Sequence, residues 1–251
     1  MTATIFGKKH QVLFYETDQT GSVSLSMLVN LFMLASQEQS SQLGLTAQKI
    51  HAQGLGWVVT QHLIKLDRLP RLNEQISIKT QAESYNRFFC YRDFWIMDRR
   101  NNVLAKMHSV FVLLDQKKRK LTKVLPELVT PYGSNYAAKV EHLPEPLKMG
   151  SEQTYPPKEY QVRFMDLDGN QHVNNVHYFD WLLDALPRDF LLAHQLKQIN
   201  IRYKHEVYYD QIVKSRVLLK PAASQIISLH EISSEAQENC RAECHWEDKK
   251  S

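Results

Sequence analysis

Hydrophobic residues recur along this chain with two periods, and the order of those periods repeats. Leu28, Leu31, Phe32 and Ala35 are spaced three and four apart, which predicts a helix with one buried face. Ser24 or Ser26 can cap its start, and Gly44 can stop it. A second stripe of Val176, Phe179, Leu182, Leu183 and Leu186 predicts another helix, with Asn174 or Asn175 as cap and Pro187 as a limit. Strand-like runs follow each helix. WVVTQHLIKL, ISIKTQAE, RFFCYRDFWIMD and HSVFVLLD come after the first; INIRYKHEVYY, QIVKSRVLL, QIISLHEIS and CRAECHW come after the second.

The segments leading into the helices also look alike. FYETDQTGSVSLSMLVNLF, from Phe14, aligns with VRFMDLDGNQHVNNVHYFD, from Val162, placing Asp18 on Asp166 at an offset of 148. LNEQI and YYDQI match at an offset of 136. Thr130 to Pro157 holds five prolines and two glycines, which suits a crossing linker. The expected organisation is a first half over 1–130, a linker over 131–157 and a second half over 158–251. One helix followed by antiparallel strands, twice, is an α+β pattern. Each helix would be wrapped by a curved sheet, and the two sheets would pair within one chain.

Composition adds mainly exclusions. The 251 residues suffice for a large core, and 43% hydrophobic with 23% charged residues is ordinary for a soluble protein. The N-terminal MTATIFGKKHQVLF lacks a secretory pattern, and the apolar stretch from Met27 to Ala35 is too short for membrane insertion. Three cysteines suggest no disulfide framework, so a cytoplasmic location is expected. A net charge of +4 without an aromatic, basic recognition motif argues against a nucleic-acid partner. The run Lys117, Lys118, Arg119, Lys120 reads first as a solvated turn and second as a docking patch.

Candidate chemistry concentrates in DGNQHVNN. Asp168, Asn170 and His172 alternate, so they share a face if the segment is extended. In the alignment above their counterparts are Thr20, Ser22 and Ser24, so only the second copy carries ionisable groups. That asymmetry points to one active site, in the second half. The competing reading is a turn and cap, with Gly169 at the bend. Cys240, Cys244 and His245 lack a second ligand pair and fit strand packing better than a metal site. With no GxSxG elbow and no phosphate-binding GxxxxGK[ST] loop, a hydrolase here would have to activate water directly. By periodicity alone Glu206 is a solvated strand charge beside Arg202 and Lys204.

DLDGNQHVNNVHYFDWLL resembles the signature of the acyl–acyl carrier protein (ACP) thioesterases, and SYNRFFCYRDFWIMD and the run from Val103 to Lys123 are similar to that family's first-half strands. The resemblance implies a tandem (double) hotdog fold. It implies hydrolysis of the thioester joining a fatty acyl chain to the phosphopantetheine arm of ACP, with no cofactor beyond the phosphopantetheine that the substrate carries. It maps the functional Asp, Asn, His and Glu onto Asp168, Asn170, His172 and Glu206, while Val207 stands where the family has a Cys. Water attack is therefore expected, with Glu206 and His172 handling its proton. Asp168 would orient or charge-balance His172, and Asn170 would position water or donate to the carbonyl oxygen. Apolar residues of the first half would line the acyl tunnel. A bacterial, cytoplasmic relative fits, as a monomer or a homodimer with ACP as partner. The alternatives are a coenzyme A thioesterase, a hotdog dehydratase or a non-catalytic acyl-binding module.

Overall fold

The computed structural model describes residues 3–139, 142–222, 225–235 and 237–249. Positions 140 and 141 of the expected linker lie outside them, as do 1, 2, 250 and 251 at the outer ends of the expected halves and 223, 224 and 236 within the second. The first half runs β1 (Ile5–Gln11), a 3-10 turn (Phe14–Glu16), α1 (Leu25–Gln42), α2 (Ala47–Ala52), β2 (Leu55–Leu66), β3 (Gln75–Tyr85), β4 (Phe89–Met97), β5 (Val103–Asp115) and β6 (Lys120–Thr122). After the short β7 (Asn135–Tyr136), the second half repeats the plan. It has β8 (Lys158–Gln161), a 3-10 turn (Phe164–Asp166), α3 (Asn175–Asp184), α4 (Arg188–Ala193), β9 (His194–Tyr203), β10 (Ile212–Ala222), β11 (Gln225–Ser234) and β12 (Gln237–Asp248).

The main strands form one sheet in the order β1-β3-β4-β5-β2-β9-β12-β11-β10-β8. Read inward from each edge, the two halves use the same strand order. They meet where β2 pairs antiparallel with β9, Gln61 opposite Arg202 and Ile64 opposite Ile199. α1 and α3 cover one face of this sheet, so each half is a hotdog and the chain is a double one. A single core runs through both: Leu28, Phe32 and Phe179 pack with Ile64, Phe94, Ile199 and Ile232, all inaccessible to solvent.

The helices begin and end as their sequences dictate. Ser24 accepts a hydrogen bond from the Met27 amide at 3.3 Å and caps α1, while Gly44 takes the left-handed φ of 71° just past its end. Asn174 caps α3 by accepting from the Val176 amide at 3.3 Å. α3 ends ten residues on, and Pro187 then stands just before α4.

The structural repeat corrects the frame read from sequence. The two 3-10 turns superpose Phe14 on Phe164 and Ser24 on Asn174, an offset of 150 rather than 148. Gly21 and Gln171, also 150 apart, are both left-handed, with φ of 72° and 65°. The isolated bridges Thr17–Val23 and Leu167–Val173 match in the same frame. Asp18, Thr20 and Ser22 are therefore the counterparts of Asp168, Asn170 and His172. The first copy keeps the acid and lacks only the amide and the imidazole. The second match shifts as well: Asn73 and Asp210, both left-handed, are equivalent at 137 rather than 136.

The segment expected as a linker crosses the sheet face opposite the helices. The Pro144 carbonyl accepts from Gln61 Nε2 at 2.9 Å and Asn200 Nδ2 at 2.7 Å, one from each side of the β2–β9 seam. Glu145 pairs with Arg202, and the Leu147 amide donates to Glu243 at 3.0 Å. Arg202 is thus neutralised within the chain, as is Lys204 by Glu238 at 3.0 Å.

Candidate active site

The loop from Asp168 to His172 is a tight turn rather than an extended strand. The Gln171 amide donates to the Asp168 carbonyl at 3.0 Å, and the Asp168 amide donates to the His172 carbonyl at 2.8 Å. The left-handed residue of this turn is Gln171, not Gly169. Asp168 braces it from within, its Oδ1 accepting from the Asn170 amide at 2.8 Å and its Oδ2 facing Asn170 Nδ2 at 3.3 Å. Asp166 anchors the entry: it is buried, accepts from the Arg163 amide at 2.8 Å and from Arg163 Nη2 at 2.7 Å. Burial opposes its ionisation, but the Arg163 contacts outweigh that and hold its carboxyl below the usual range.

Alternation carried past Tyr203 fails at Glu206. β9 ends at Tyr203, and the next residues leave the sheet. The Lys204 and His205 amides both donate to the Asn239 carbonyl, at 2.9 and 3.2 Å, and the buried Asn239 amide reaches back to the Glu206 carbonyl at 3.4 Å. Glu206 is therefore not one of a row of strand charges with Arg202 and Lys204. Val207, next along, is inaccessible in the core, and its carbonyl accepts from the Val173 amide at 2.9 Å. That one bond ties the Glu206 segment to the Asp168–His172 loop.

The result is a close pair. His172 Nδ1 lies 3.3 Å from Glu206 Oε1. The other carboxylate oxygen, Oε2, accepts from Tyr208 Oη at 2.9 Å and pairs with Arg119. The Tyr208 ring stands edge-on to the imidazole, with centroids 5.0 Å apart. Burial and then the hydrogen bond to Glu206 push the Tyr208 phenol up, and the Glu206 charge raises Arg119. Among the described residues, no hydrogen bond or ion pair joins the Asp168 carboxylate to the His172 ring. The expected partner of the imidazole was Asp168; the observed one is Glu206, and Asp168 instead bonds within the turn, its amide donating to the His172 carbonyl.

Two of these neighbours were not singled out as site residues. Arg119 lies in the basic run, and nothing in one dimension links it to an acid 87 residues away. Tyr208 stands two residues after Glu206, so a common side in an extended segment was the available signal. A third contact comes from β2: His62 Nε2 lies 3.4 Å from Asn175 Nδ2 in the first turn of α3. Ser109 holds the other ring nitrogen at 2.7 Å, and complete burial lowers the imidazole to about 3.

A cavity of about 510 Å³ opens in the first half, between the C-terminal part of α1, α2 and strands β3–β5. Leu45, Ile50, Trp57, Phe111 and Leu128 supply apolar walls, with polar groups such as Ser40 and Arg92 among them. Trp57 sits four residues before Gln61, which faces Arg202 across the seam, so the cavity and Glu206 occupy the same end of that seam.

The cysteines are unsuited to nucleophilic work. Burial raises Cys90 and Cys244 to about 12 and Cys240 well above its ordinary value, so all three remain thiols at neutral pH. His245 is engaged by Glu243 at 2.9 Å rather than shared with the cysteines. Among the described residues, the cluster with metal-ligand geometry is Glu83, Asp93 and His108. There Asp93 bonds His108 Nδ1 at 2.7 Å and lies 3.6 Å from Lys106, so the acid and the imidazole already serve as each other's partners.

Family comparison agrees with this layout. Residues 3–132 match the acyl-ACP thioesterase N-terminal domain and residues 150–248 the acyl-ACP thioesterase C-terminal domain. A structure from Lactobacillus plantarum, provisionally described as an oleoyl thioesterase, is 39% identical with a TM-score of 0.97, covering 99% of this chain and 98% of that one. The 12:0-ACP thioesterase from Umbellularia californica shares the fold, at 21% identity and a TM-score of 0.86 over 98% of each chain. A chloroplastic dodecanoyl-[acyl-carrier-protein] hydrolase of Cinnamomum camphora is 24% identical across 98% of this chain and 68% of its own length. A chloroplastic oleoyl-acyl carrier protein thioesterase of Coriandrum sativum is 28% identical across 84% of this chain and 61% of its own.

Proposed function

The chain belongs to the acyl-ACP thioesterase family, a family of thioester hydrolases, and from that premise we propose that it cleaves fatty acyl-ACP with water activated by His172. The observation that carries the assignment of roles is the way Glu206 is occupied. Its Oε2 is taken by Arg119 and Tyr208, and its Oε1 faces His172 Nδ1 at 3.3 Å. A carboxylate so engaged is poorly placed to take a proton from water. It is well placed to hold the imidazole with Nδ1 protonated and Nε2 free to act as base.

In this reading water attacks the thioester carbonyl as its proton passes to His172 Nε2. Glu206 stabilises the imidazolium that forms. Asn170 Nδ2, one hydrogen of which faces Asp168, donates its other to the developing oxyanion. The tetrahedral intermediate collapses by breaking the C–S bond, and the departing phosphopantetheine sulfur takes the proton back from His172. The products are a free fatty acid and the holo carrier. The acyl chain lies in the cavity beside Trp57, whose volume is within the range of small-molecule sites.

The same proposal includes a bacterial, cytoplasmic setting. It is supported by three free thiols and by the likeness to the Lactobacillus plantarum chain. Among the described residues, no helix is long and apolar enough to cross a membrane.

The test is thiol release from matched acyl-ACP and acyl-coenzyme A substrates over a chain-length series. Release from acyl-ACP, lost in His172→Ala and in Glu206→Gln, supports the reading; a coenzyme A preference, dehydration of 3-hydroxyacyl substrates, or binding without turnover each replaces it. Ile50→Trp, which narrows the cavity, is expected to move the preference toward shorter chains. An unchanged chain-length profile would place the acyl site elsewhere.

A further inference from the structure

We propose that Arg119, contributed by the first half, is a positioning residue for the second-half site: it holds Glu206 in the orientation that presents Oε1 to His172. The proposal rests on the assignment of His172 and Glu206 above, and it concerns a residue which that assignment leaves without a role.

The geometry of its turn and the contacts of its guanidinium place Arg119 there. It sits in the turn from β5 to β6, where the Asp115 carboxylate accepts from the Lys117 and Lys118 amides at 3.1 and 2.9 Å and the Asp115 backbone lies opposite Lys120 in the ladder. This fixes the backbone of the turn. Within it Arg119 has a φ of 50°, left-handed and uncommon for a residue with a side chain. The turn sets this conformation, as other turns do at Asn73 and Asn101, and with it the direction in which the side chain leaves the backbone. The guanidinium reaches two partners at once, the Glu206 carboxylate and Tyr208 Oη, the latter at 2.6 Å, and lies 5.9 Å from the centroid of the Tyr208 ring.

The neighbouring lysines behave differently. Lys118 is 3.7 Å from Asp115 with its side chain 76% exposed, while Lys117 and Lys120 have no ion pair among the described residues. Of the four basic residues in the run, Arg119 is the one turned to the site. A planar guanidinium suits that task better than an ammonium, because it fixes an angle as well as a charge.

The charged and titratable groups facing Glu206 are Arg119 from the β5–β6 turn, His172 from the loop before α3, Tyr208 from its own segment and, further off, Tyr178 of α3. Removing Arg119 takes away the guanidinium that offsets the Glu206 charge. The positive charge that disfavours gaining a proton at the site is then gone, so the acid limb of the rate profile moves upward.

The experiment compares wild type, Arg119→Ala, Arg119→Lys, Glu206→Gln and the double variant Arg119→Ala/Glu206→Gln. Two substrates are used: acyl-ACP and a carrier-free acyl thioester of N-acetylcysteamine. Arg119→Ala is expected to lower kcat about 10- to 100-fold on both substrates, to shift the acid limb upward, and to regain part of the rate as Arg119→Lys. Adding it to Glu206→Gln is expected to cost little more. A loss confined to KM for acyl-ACP would make Arg119 a docking residue and overturn the proposal, as would an unmoved pH profile. If Glu206→Gln itself retains wild-type turnover, the underlying assignment fails, and that outcome is distinct from a silent Arg119. Arg119 is more than half exposed, so thermal melting is expected to show all the Arg119 variants folded.

Discussion

Two buried histidines set the response of this molecule to acid. Complete burial lowers both His62 and His230 to about 3 in the folded chain, against 6.5 when exposed. Below 6.5 the unfolded chain binds protons that the folded chain refuses, so stability falls as the pH drops from 6.5 toward 3. Each group contributes a slope of about 1.4 kcal/mol per pH unit once well inside that window. Carboxyls held low, such as Glu238 at about 2, lose their contribution only below their ordinary 4.5. A lower melting temperature at pH 5 than at pH 7 is therefore expected, and His62→Gln should flatten the difference; equal melting at both pH values would contradict the assignment. At the candidate active site, His172→Ala is expected to lower turnover by roughly two to four orders of magnitude. Its structural counterpart is Ser22, and Ser22→Ala should stay within a few-fold of wild type. Ser24→Ala removes the cap of α1 instead, costing about 1 kcal/mol of stability with turnover intact. Measuring both melting and rate on these variants separates the two frames.

At the scale of elements, much was legible from periodicity. The helix stripes, the caps and most strands follow from apolar spacing, because each element buries one face. Two elements were misread for physical reasons. Alternation through IRYKHEVYYD extended β9 to Tyr209, yet Asn239 and the Val173–Val207 bond draw the backbone off the sheet after Tyr203. Side-chain pattern alone carries no sign of that competing hydrogen bonding. The repeat frame slipped by two because Asp18 was matched to Asp166, acid for acid, while the shared feature is a left-handed residue that is Gly21 in one copy and Gln171 in the other. The site residues came from a sequence signature; Arg119 and the Glu206–His172 pairing needed the third dimension. The departure at Val207 gives its own expectation. Since that side chain points into the core, Val207→Cys should leave turnover insensitive to alkylating reagents. Loss of activity on alkylation, absent in wild type, would show that the position reaches the site after all.

For the whole molecule, carrier recognition turns on which surface cations the fold leaves exposed. Arg202 and Lys204, the basic residues just before Glu206, are bound to Glu145 and Glu238. Lys117, without an ion pair among the described residues, and Lys118, 3.7 Å from Asp115 but 76% exposed, stand in the turn whose Arg119 touches Glu206, so a carrier with an acidic surface docked there would have its arm beside the site. Charge reversal at both lysines should raise KM for acyl-ACP well above any change for the coenzyme A ester. Added salt should do the same as the screening length contracts from about 10 Å at 0.1 M to about 3 Å at 1 M. Equal sensitivity of the two substrates would move the dock elsewhere.

The antiparallel pairing of β2 with β9 has one more consequence, and it concerns mass action. A site assembled from separate subunits obeys a dissociation constant and empties on dilution. Here the turn bearing Arg119 and the segment bearing Glu206 belong to one polypeptide, and the crossing segment is clasped at Pro144 from both sides of the seam. Their encounter is intramolecular, with an effective concentration set by the chain rather than by expression level. Activity per molecule should therefore hold constant down to concentrations at which two-subunit sites fall apart. Joining the halves also removes the symmetry that would force both copies of the loop to keep the same chemistry, leaving the first free to hold Thr20 and Ser22 where the second holds Asn170 and His172.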